Sequence, residues 1–152
     1  MDMQQPGIMN DKKIDLTITT PRGVKFVEKA DRVIMRCIDG DMGVLPGHAR
    51  VSTVLGDGIL RILNNGIEKK LAVFGGIAEI DDKSVKIFST IAQRPEEIDR
   101  ERAERDRQEA ETAIREESEE VRIHSLQAKL RRSLVRIEVS LHIDEDEYTE
   151  EL

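Results

Sequence analysis

The segment KIDLTIT, at positions 13–19, decides the fold, because its apolar and polar side chains alternate strictly. Ile14, Leu16 and Ile18 fall on one face and polar residues on the other, which is the pattern of a half-buried β-strand. Similar short segments continue to about Ala92, separated by turn residues at the spacing typical of an all-β sandwich or barrel. The further candidate strands are VKFVE, RVIMRCI, GILRILN, IEKKLAVFG and SVKIFST.

Turn residues mark the ends of these segments. Asn65-Gly66 lies between two candidate strands and supplies the positive φ angles that a two-residue hairpin requires. Asp57-Gly58 and Asp81-Asp82-Lys83 read as further turns. Gly75-Gly76 lies inside a candidate strand, where it predicts a bulge or a close approach of two backbones.

Composition limits both the size of the globular part and the classes of function. The 152 residues are 38% hydrophobic and 36% charged, which predicts one modest domain with an appendage. A net charge of −7 argues against nucleic-acid binding, which needs a basic surface. Cys37 has no second cysteine to pair with, so a reducing compartment is expected. The sequence has neither a signal peptide nor a run of ~18 apolar residues, so we expect no membrane insertion.

The hydrophobic period changes near Arg94 from that of a strand to that of a helix. Pro95, followed by Glu96 and Glu97, is a helix start signal. The first helical stretch has a narrow apolar stripe and should pack weakly. The second has an apolar seam at spacings of three and four, formed by Ile123, Leu126, Leu130, Leu134, Ile137 and Leu141.

These patterns predict a β + α fold in which an N-terminal antiparallel β-sandwich precedes a C-terminal two-helix hairpin. The predicted parts are a sandwich at 1–94, a helical hairpin at 95–143 and an acidic disordered tail at 144–152. The segment 118–122 contains neither glycine nor proline, so the bend between the helices is not forced and the hairpin could open into one long helix.

Catalytic and metal-binding patterns are absent from the sequence. The glycine-rich phosphate loop ending in Gly-Lys-Ser or Gly-Lys-Thr does not occur, and Asp39-Gly40-Asp41 lacks the later residues of a calcium loop. The three histidines are too dispersed for a metal site, and no serine has an evident catalytic base and orienting acid. We therefore expect no catalytic residue, no metal and no required cofactor.

The segment GDMGVLPGHA, at 40–49, closely resembles the signature loop of the F-type ATP synthase epsilon subunit. The order of sandwich and helices, the length and the helix that begins IDRERA at 98–103 agree with that family, and the resemblance covers 13–143. It implies that the loop contacts the gamma subunit and the polar loops of the membrane c-ring, with Asp41 and His48 nearest to the ring. The contact residues implied are Asp41, Met42, Gly43, Val44, Leu45, Pro46, Gly47 and His48.

The family resemblance also implies a non-catalytic rotor subunit at the cytoplasmic face of the cell membrane. The complex would translocate either protons or sodium ions. A different class of function stays open beside this one, a β-sandwich binding module with a coiled-coil tail in an unrelated assembly. Removing the Asp41 or His48 side chain should weaken coupling more than folding.

Some bacterial members of the family bind one ATP on the folded hairpin, and their motif is present here. The implied ligands are Ile98, Asp99, Arg102, Ala103, Arg132 and Arg136. Arg132 and Arg136 share a helix face, and antiparallel packing could bring three guanidinium groups to the phosphates. The adenine is expected near Ile98 and Asp99. Gln93 stands where the family often has an acid, and the alternative for the arginines is a solvated face with weak ion pairs.

A mobile hairpin suggests a regulatory mechanism. About 47 helical residues at ~1.5 Å each would extend on the order of 70 Å, far enough to reach the alpha and beta catalytic subunits. There the basic residues Arg122, Lys129, Arg131, Arg132 and Arg136 could engage acidic surfaces and block rotation. ATP that binds only the folded hairpin would keep this brake off.

Overall fold

The computed structural model describes residues 12–151, with the side chains of 12–142. Within these residues a β-sheet domain is followed by two helices, as the sequence predicts. The strands are β1 Ile14–Thr20, β2 Gly23–Ala30, β3 Arg32–Cys37, β4 Gly40–Val44, β5 Val51–Asn64, β6 Ile67–Ile80, β7 Ser84–Phe88 and β8 Ile91–Gln93. A one-turn 3₁₀ helix at Pro95–Glu97 leads into α1 Arg100–Glu116 and α2 Glu120–Glu151.

The strands follow the order β2-β1-β7-β6-β5-β3-β4, and β8 pairs with β6. Neighbouring strands run antiparallel except β1 and β7, which are parallel. The predicted antiparallel β-sandwich is confirmed, with this one parallel pair as an exception. A parallel pair needs a long connection, and the whole of β2–β6 separates β1 from β7 in the chain.

The sheet folds over into two layers around one hydrophobic core. Leu16 of β1 and Met35 of β3 belong to the same buried cluster, although three strands lie between β1 and β3 in the sheet. The long strand β6 takes part in both layers, since it pairs with β8 through its middle residues 72–74 and with β7 through its last residues 77–80. A sandwich core of alternating inward side chains results.

Two of the three glycine predictions are confirmed, whereas the turn predicted at Asp57-Gly58 is wrong, because both residues pair with β6 inside the long strand β5. Gly76 has a φ of 118°, and a Cβ there would lie 2.2 Å from the Phe88 carbonyl oxygen, so only glycine allows this approach. Asn65 and Gly66 have φ angles of 53° and 79° and join β5 to β6 as a two-residue hairpin. The Asp31 carboxylate accepts the Asn65 N–H at 2.8 Å and fixes the turn against the β2–β3 connection.

The two helices form a folded hairpin that is docked on the sheet. α2 packs on β5 and β6, and α1 packs on α2. The chain reverses at 117–119, where the Glu117 side chain accepts the N–H groups of Ser118 and Glu119, each at 3.1 Å. The docked interface is a second, smaller cluster, formed by Ala72, Phe74 and Val139 with Ile59, Ile91, Ile98 and Val135 packed against it.

The predicted apolar seam of α2 differs from the face that docks on the sheet. Leu134 and Leu141 are 48% and 46% exposed, whereas Val139 is fully buried. Val135 and Val139, which are four residues apart and outside the predicted seam, pack against the sheet instead. Spacing alone does not distinguish two such adjacent stripes.

The segment 144–152, predicted as a disordered tail, is helical as far as Glu151, and residue 152 lies outside the described part of the chain. Its composition explains the difference, because glutamate is a good helix former and extending an existing helix adds one hydrogen bond per residue. Among the described helices, none is both long enough and apolar enough to span a membrane.

Candidate functional site

The arginines of α2 lie over a buried aromatic ring of the sheet. The guanidinium carbon of Arg136 is 4.7 Å from the centre of the Phe74 ring, and that of Arg132 is 5.3 Å from it. Phe74 itself is only 2% exposed. Both distances are within the range of cation–π attraction, which is stronger where water is excluded. The ring face therefore holds two positive charges one helical turn apart.

Each of these arginines also donates a hydrogen bond to the sheet. Arg132 Nε donates to Asp57 Oδ2 at 2.9 Å, and Arg136 Nε donates to Gln93 Oε1 at 2.8 Å. Strand register explains the arrangement, since Asp57 lies opposite Phe74 on β6 and Gln93 of β8 lies opposite Ala72. The central strand β6 thus places a carboxylate, an aromatic ring and an amide side by side beneath α2.

The start of α1 completes the site. Asp99 is the N-cap of α1, and its carboxylate accepts the Arg102 N–H at 3.1 Å. Ala103 is 2% exposed at the seam between the helices, and Ile98 packs into the cluster beneath α2. The motif residues Ile98, Asp99 and Ala103 therefore already have structural roles in starting and seating this helix.

Arg102 of α1 adds a third positive charge to the two arginines of α2, and the effect is seen in the pKa of Arg136. Burial lowers the pKa of Arg136, and the nearby charges of Arg132 and Arg102 lower it further. Asp106 and Asp57 act in the opposite direction without cancelling the effect. We call Arg102, Arg132 and Arg136 the arginine cluster. Its three guanidinium groups offer several charge-assisted donors, so it suits a multivalent anion.

Space for a ligand adjoins the arginine cluster. A cleft of about 520 Å³ is lined by the β1–β2 turn, by 90–93 and by Glu97, so that Gln93 borders both the cleft and the cluster. Lys25 and Glu97 form an ion pair at its edge. The cleft is large enough for a small organic molecule.

The segment 41–48, predicted as a loop, is strand β4 up to Val44 and a loop beyond it, and it combines buried anchors with an exposed edge. Val44 is fully buried and Met42 packs against the sandwich core, so these two hold the loop and do not present a contact surface. Gly47 N–H donates to the Asp82 carbonyl at 2.8 Å and ties the loop to the β6–β7 turn. Leu45 is 57% exposed. The exposed members are Asp41, Gly43, Leu45 and Gly47, with Pro46 and His48 partly exposed.

The two polar side chains of this loop are held in place locally. Asp41 Oδ1 accepts a hydrogen bond from Arg36 Nη1 on β3 at 3.2 Å. His48 Nδ1 lies 2.7 Å from the Ala49 carbonyl oxygen. Both therefore remain at the surface in defined orientations, as a polar contact site requires.

Sequence reasoning missed a row of exposed apolar side chains across the sheet. Val54 pairs with Ile77, and Ile77 pairs with Phe88, so the three lie side by side on β5, β6 and β7. Ile38, whose N–H donates to the Val54 carbonyl, continues the line at one end. At the other end Thr19 of β1 lies next to Phe88, and Val24 of β2 follows beyond it. Each of the five apolar side chains is between 44% and 66% exposed. We call these five residues the apolar row.

Sequence patterns could not show this surface, because its members come from separate strands. Taken singly, an exposed valine or isoleucine has no significance, whereas a contiguous apolar patch marks an interaction site. Phe74, Asp57 and Asp106 were missed for a similar reason, since strand register and helix docking bring them to the arginines. Across the described residues, no three His, Cys, Asp or Glu side chains are grouped as metal ligands.

Two family models match the chain and together span most of it. Residues 13–95 match the β-sandwich domain of the ATP synthase delta/epsilon chain, and residues 96–140 match the long α-helix domain of the same chain. The first model alone covers more than half of the sequence.

Two curated relatives resemble the chain over nearly their whole length. An ATP synthase epsilon chain from Desulforamulus reducens is 34% identical over 82% of this chain and 95% of its own. One from Symbiobacterium thermophilum is 33% identical over 88% of this chain and 96% of its own. Among solved structures, a chain of the Euglena gracilis mitochondrial ATP synthase, solved as OSCP/F1/c-ring, matches with a TM-score of 0.72 and 26% identity. That match covers 93% of this chain and 97% of the other.

Proposed function

The chain belongs to the delta/epsilon chain family of ATP synthase as a non-catalytic subunit, and we propose that it couples the catalytic head to the c-ring as part of the central stalk. The observation that carries this proposal is the match of both domains, in order, over almost the whole length of the relatives. The similar Euglena chain is part of an assembly that contains F1 and the c-ring. A binding module in an unrelated assembly is excluded by this membership.

The apolar row supplies a surface for a partner in the stalk, which we propose to be the gamma subunit. Five exposed apolar side chains in line across the sheet are costly in water and suit a partner that covers them permanently. A coupling subunit has to rotate with the shaft without slipping, and an extended apolar contact across several strands resists slipping better than isolated polar contacts do.

The segment 41–48 supplies a different kind of surface, which we propose contacts the polar loops of the c-ring. Asp41 and His48 are held in fixed orientations by Arg36 and by the Ala49 carbonyl, while Val44 anchors the loop in the core. A few polar contacts suffice to fix the relative position of two packed surfaces. The subunit would then lie at the cytoplasmic face of the cell membrane, as a peripheral part of the complex.

The arginine cluster supports regulatory ATP binding on the docked hairpin. Arg102 of α1 and Arg132 and Arg136 of α2 meet only when the helices are folded, and their mutual repulsion is relieved by phosphate. The cleft beside Gln93 offers room for the rest of a nucleotide. Ile98 is half-buried in the helix–sheet interface, so it reaches the ligand only at its exposed edge.

The basic residues proposed to act in the extended state are engaged in the docked state. Arg131 and Arg132 lie 3.7 Å and 2.9 Å from Asp57, and Lys129 lies 3.4 Å from Glu109. Undocking would release these charges toward acidic surfaces of the alpha and beta catalytic subunits. A ligand that binds only the docked hairpin opposes this by RT ln(1 + [L]/Kd), or about 2.7 kcal/mol at a hundredfold excess.

Calorimetric titration of the protein with ATP tests the nucleotide proposal. Wild type should bind, whereas Arg102→Ala and Arg132→Ala should each weaken binding by about tenfold or more, because a charge-assisted contact to phosphate is lost. Arg105→Ala is the matched control, since Arg105 is an exposed arginine on the same helix outside the cluster. Absence of heat with wild type would refute ATP binding and leave the stalk assignment unaffected.

Co-assembly tests the stalk proposal. Ile77→Asp places a charge in the middle of the apolar row and should abolish binding to the gamma subunit while the isolated protein stays folded. Thr17→Asp is the control, because Thr17 lies on β1 outside the row. If Ile77→Asp still co-purifies with gamma at the wild-type ratio, the row is not the stalk contact.

A further inference from the structure

Asp57 is a carboxylate held in a nearly closed position between the sheet and α2. Its side chain is 12% exposed, and it stands on β5 directly opposite Phe74. Arg132 Nε donates to its Oδ2 at 2.9 Å, and Arg131 Nη2 lies 3.7 Å from the same oxygen. Both cationic partners come from one turn of α2.

A carboxylate this well buried needs partners that compensate for its lost hydration. Because both partners of Asp57 belong to α2, the pairing exists only while the hairpin is docked. When α2 leaves, Asp57 opens to water and regains hydration, and the arginines are freed at the same moment. Whether Asp57 is ion-paired or hydrated therefore depends directly on whether α2 is docked on the sheet.

The two arginines over Phe74 donate hydrogen bonds to different kinds of acceptor. Arg136 donates to the neutral amide of Gln93, whereas Arg132 donates to the charged Asp57. An incoming phosphate can join Arg136 without breaking an ion pair. At Arg132 it meets a guanidinium whose Nε already donates to a carboxylate, so the phosphate competes with the negative charge of Asp57.

Taking the proposed nucleotide site as its basis, we propose that Asp57 is a resident counter-ion of the arginine cluster, which stabilises the docked hairpin without nucleotide and competes with the phosphates of ATP for the charge of Arg132. Asp57 acts as a positioning residue and does not itself contact the ligand. Its charge then sets two quantities in opposite directions. It raises the stability of the empty docked state, and it lowers the affinity of that state for ATP.

The substitution Asp57→Asn separates these effects, because asparagine keeps the size and an acceptor oxygen and removes only the charge. Hydrogen exchange of the intact protein without nucleotide reports the docking of α1 and α2, and calorimetry with ATP reports affinity. Asp15→Asn is the control, since Asp15 is an exposed acid on β1 that is paired with Lys29.

We expect Asp57→Asn to accelerate exchange in α1 and α2 without nucleotide by on the order of tenfold, the effect of losing a charge-assisted contact to a mostly buried carboxylate. While the docked form stays in the majority, its Kd for ATP should fall by about threefold or more. Asp15→Asn should change neither.

Unchanged exchange in Asp57→Asn would overturn the inference whatever ATP does, since that measurement needs no nucleotide. Faster exchange together with unchanged or weaker ATP binding would also overturn it, because Asp57 would then be a structural partner and not a competitor. If wild type gives no heat with ATP but exchange is accelerated, the nucleotide proposal fails while the stabilising role of Asp57 is upheld.

Discussion

The β-sandwich and the docked hairpin are stabilised by different kinds of contact. All eight strands contribute apolar side chains to one core, including the fully buried Leu16 and Ile87. The hairpin instead buries small or polar residues, among them Ala103, Ala110 and Ser133. The sandwich is therefore stable by itself, whereas the hairpin depends on a small interface that can open at modest cost.

The positions of the ion pairs also differ between the sandwich and the docked hairpin. In the sandwich, ion pairs such as Lys29–Asp15 lie at the surface and contribute little. Under α2, Asp57, Arg132 and Arg136 are part of the interface itself, on the face of Phe74. A ligand or partner that changes the charge balance there shifts docking without disturbing the fold of the sheet.

The largest effect is expected from a cavity in the sandwich core. Leu16→Ala removes a side chain with no exposed surface and should lower the free energy of unfolding by about 4 kcal/mol. Chemical denaturation followed by circular dichroism measures it. Thr17→Ala, on the outward face of the same strand, should cost well under ~1 kcal/mol. Equal effects of the two would contradict the placement of the core.

A second substitution acts on docking and should spare the sandwich. Phe74→Ala removes the ring beneath both arginines and leaves a cavity against Val139, so docking should weaken by about 3 kcal/mol. Hydrogen exchange should then accelerate in α1 and α2 and not in β1 or β7. Phe74→Leu keeps most of the apolar contact and should recover about half of the loss. Acceleration spread evenly over the whole protein would show that the two regions unfold as one unit.

Features of the fold that depend on local sequence were predictable, whereas features that depend on distant strands were not. Alternation in KIDLTIT and the pair Asn65-Gly66 indicate β1 and the β5–β6 hairpin, because these signals are local. β8 is only three residues long and shows too little alternation to be recognised. The parallel β1–β7 pair is set by distant strands, so no local signal indicates it.

The same distinction between local and long-range signals applies to the candidate site. The spacing of Arg132 and Arg136 and the family motif at Ile98 were readable in the sequence. Asp57 looked like a turn residue, although it lies inside β5, because only the register with β6 shows its position. Phe74 looked like an ordinary strand residue, and its contact with the arginines follows from where α2 docks.

A smaller effect is expected where the two helices meet. Ala110 is fully buried between α1 and α2, and Ala110→Leu inserts volume that the seam does not have. Docking of α1 should weaken by about 1 to 2 kcal/mol through overpacking. Limited proteolysis should then cut α1 sooner while the sheet fragment stays intact. Thr112→Leu adds a similar side chain on the exposed face of α1 and should leave the rate unchanged.

The smallest effect concerns the junction between the regions and depends on pH. Burial would raise the pKa of Glu97, but the Lys25 ammonium and the Arg94 N–H outweigh it, so the pKa is lowered from its ordinary value of 4.5. A lowered pKa stabilises the folded state above 4.5, and this contribution is lost as the pH falls through the folded-state pKa.

The substitution Glu97→Gln should therefore cost well under ~1 kcal/mol at pH 7, since the side chain is 37% exposed and its ion pair is screened. The difference from wild type in the free energy of unfolding should shrink as the pH is lowered below 4.5 and disappear once Glu97 is protonated in both states. Denaturation midpoints measured from pH 7 to pH 3 test this. A difference that grows in acid would mean that Glu97 is held neutral by burial and that the junction resembles the sandwich core instead of the charged helix interface.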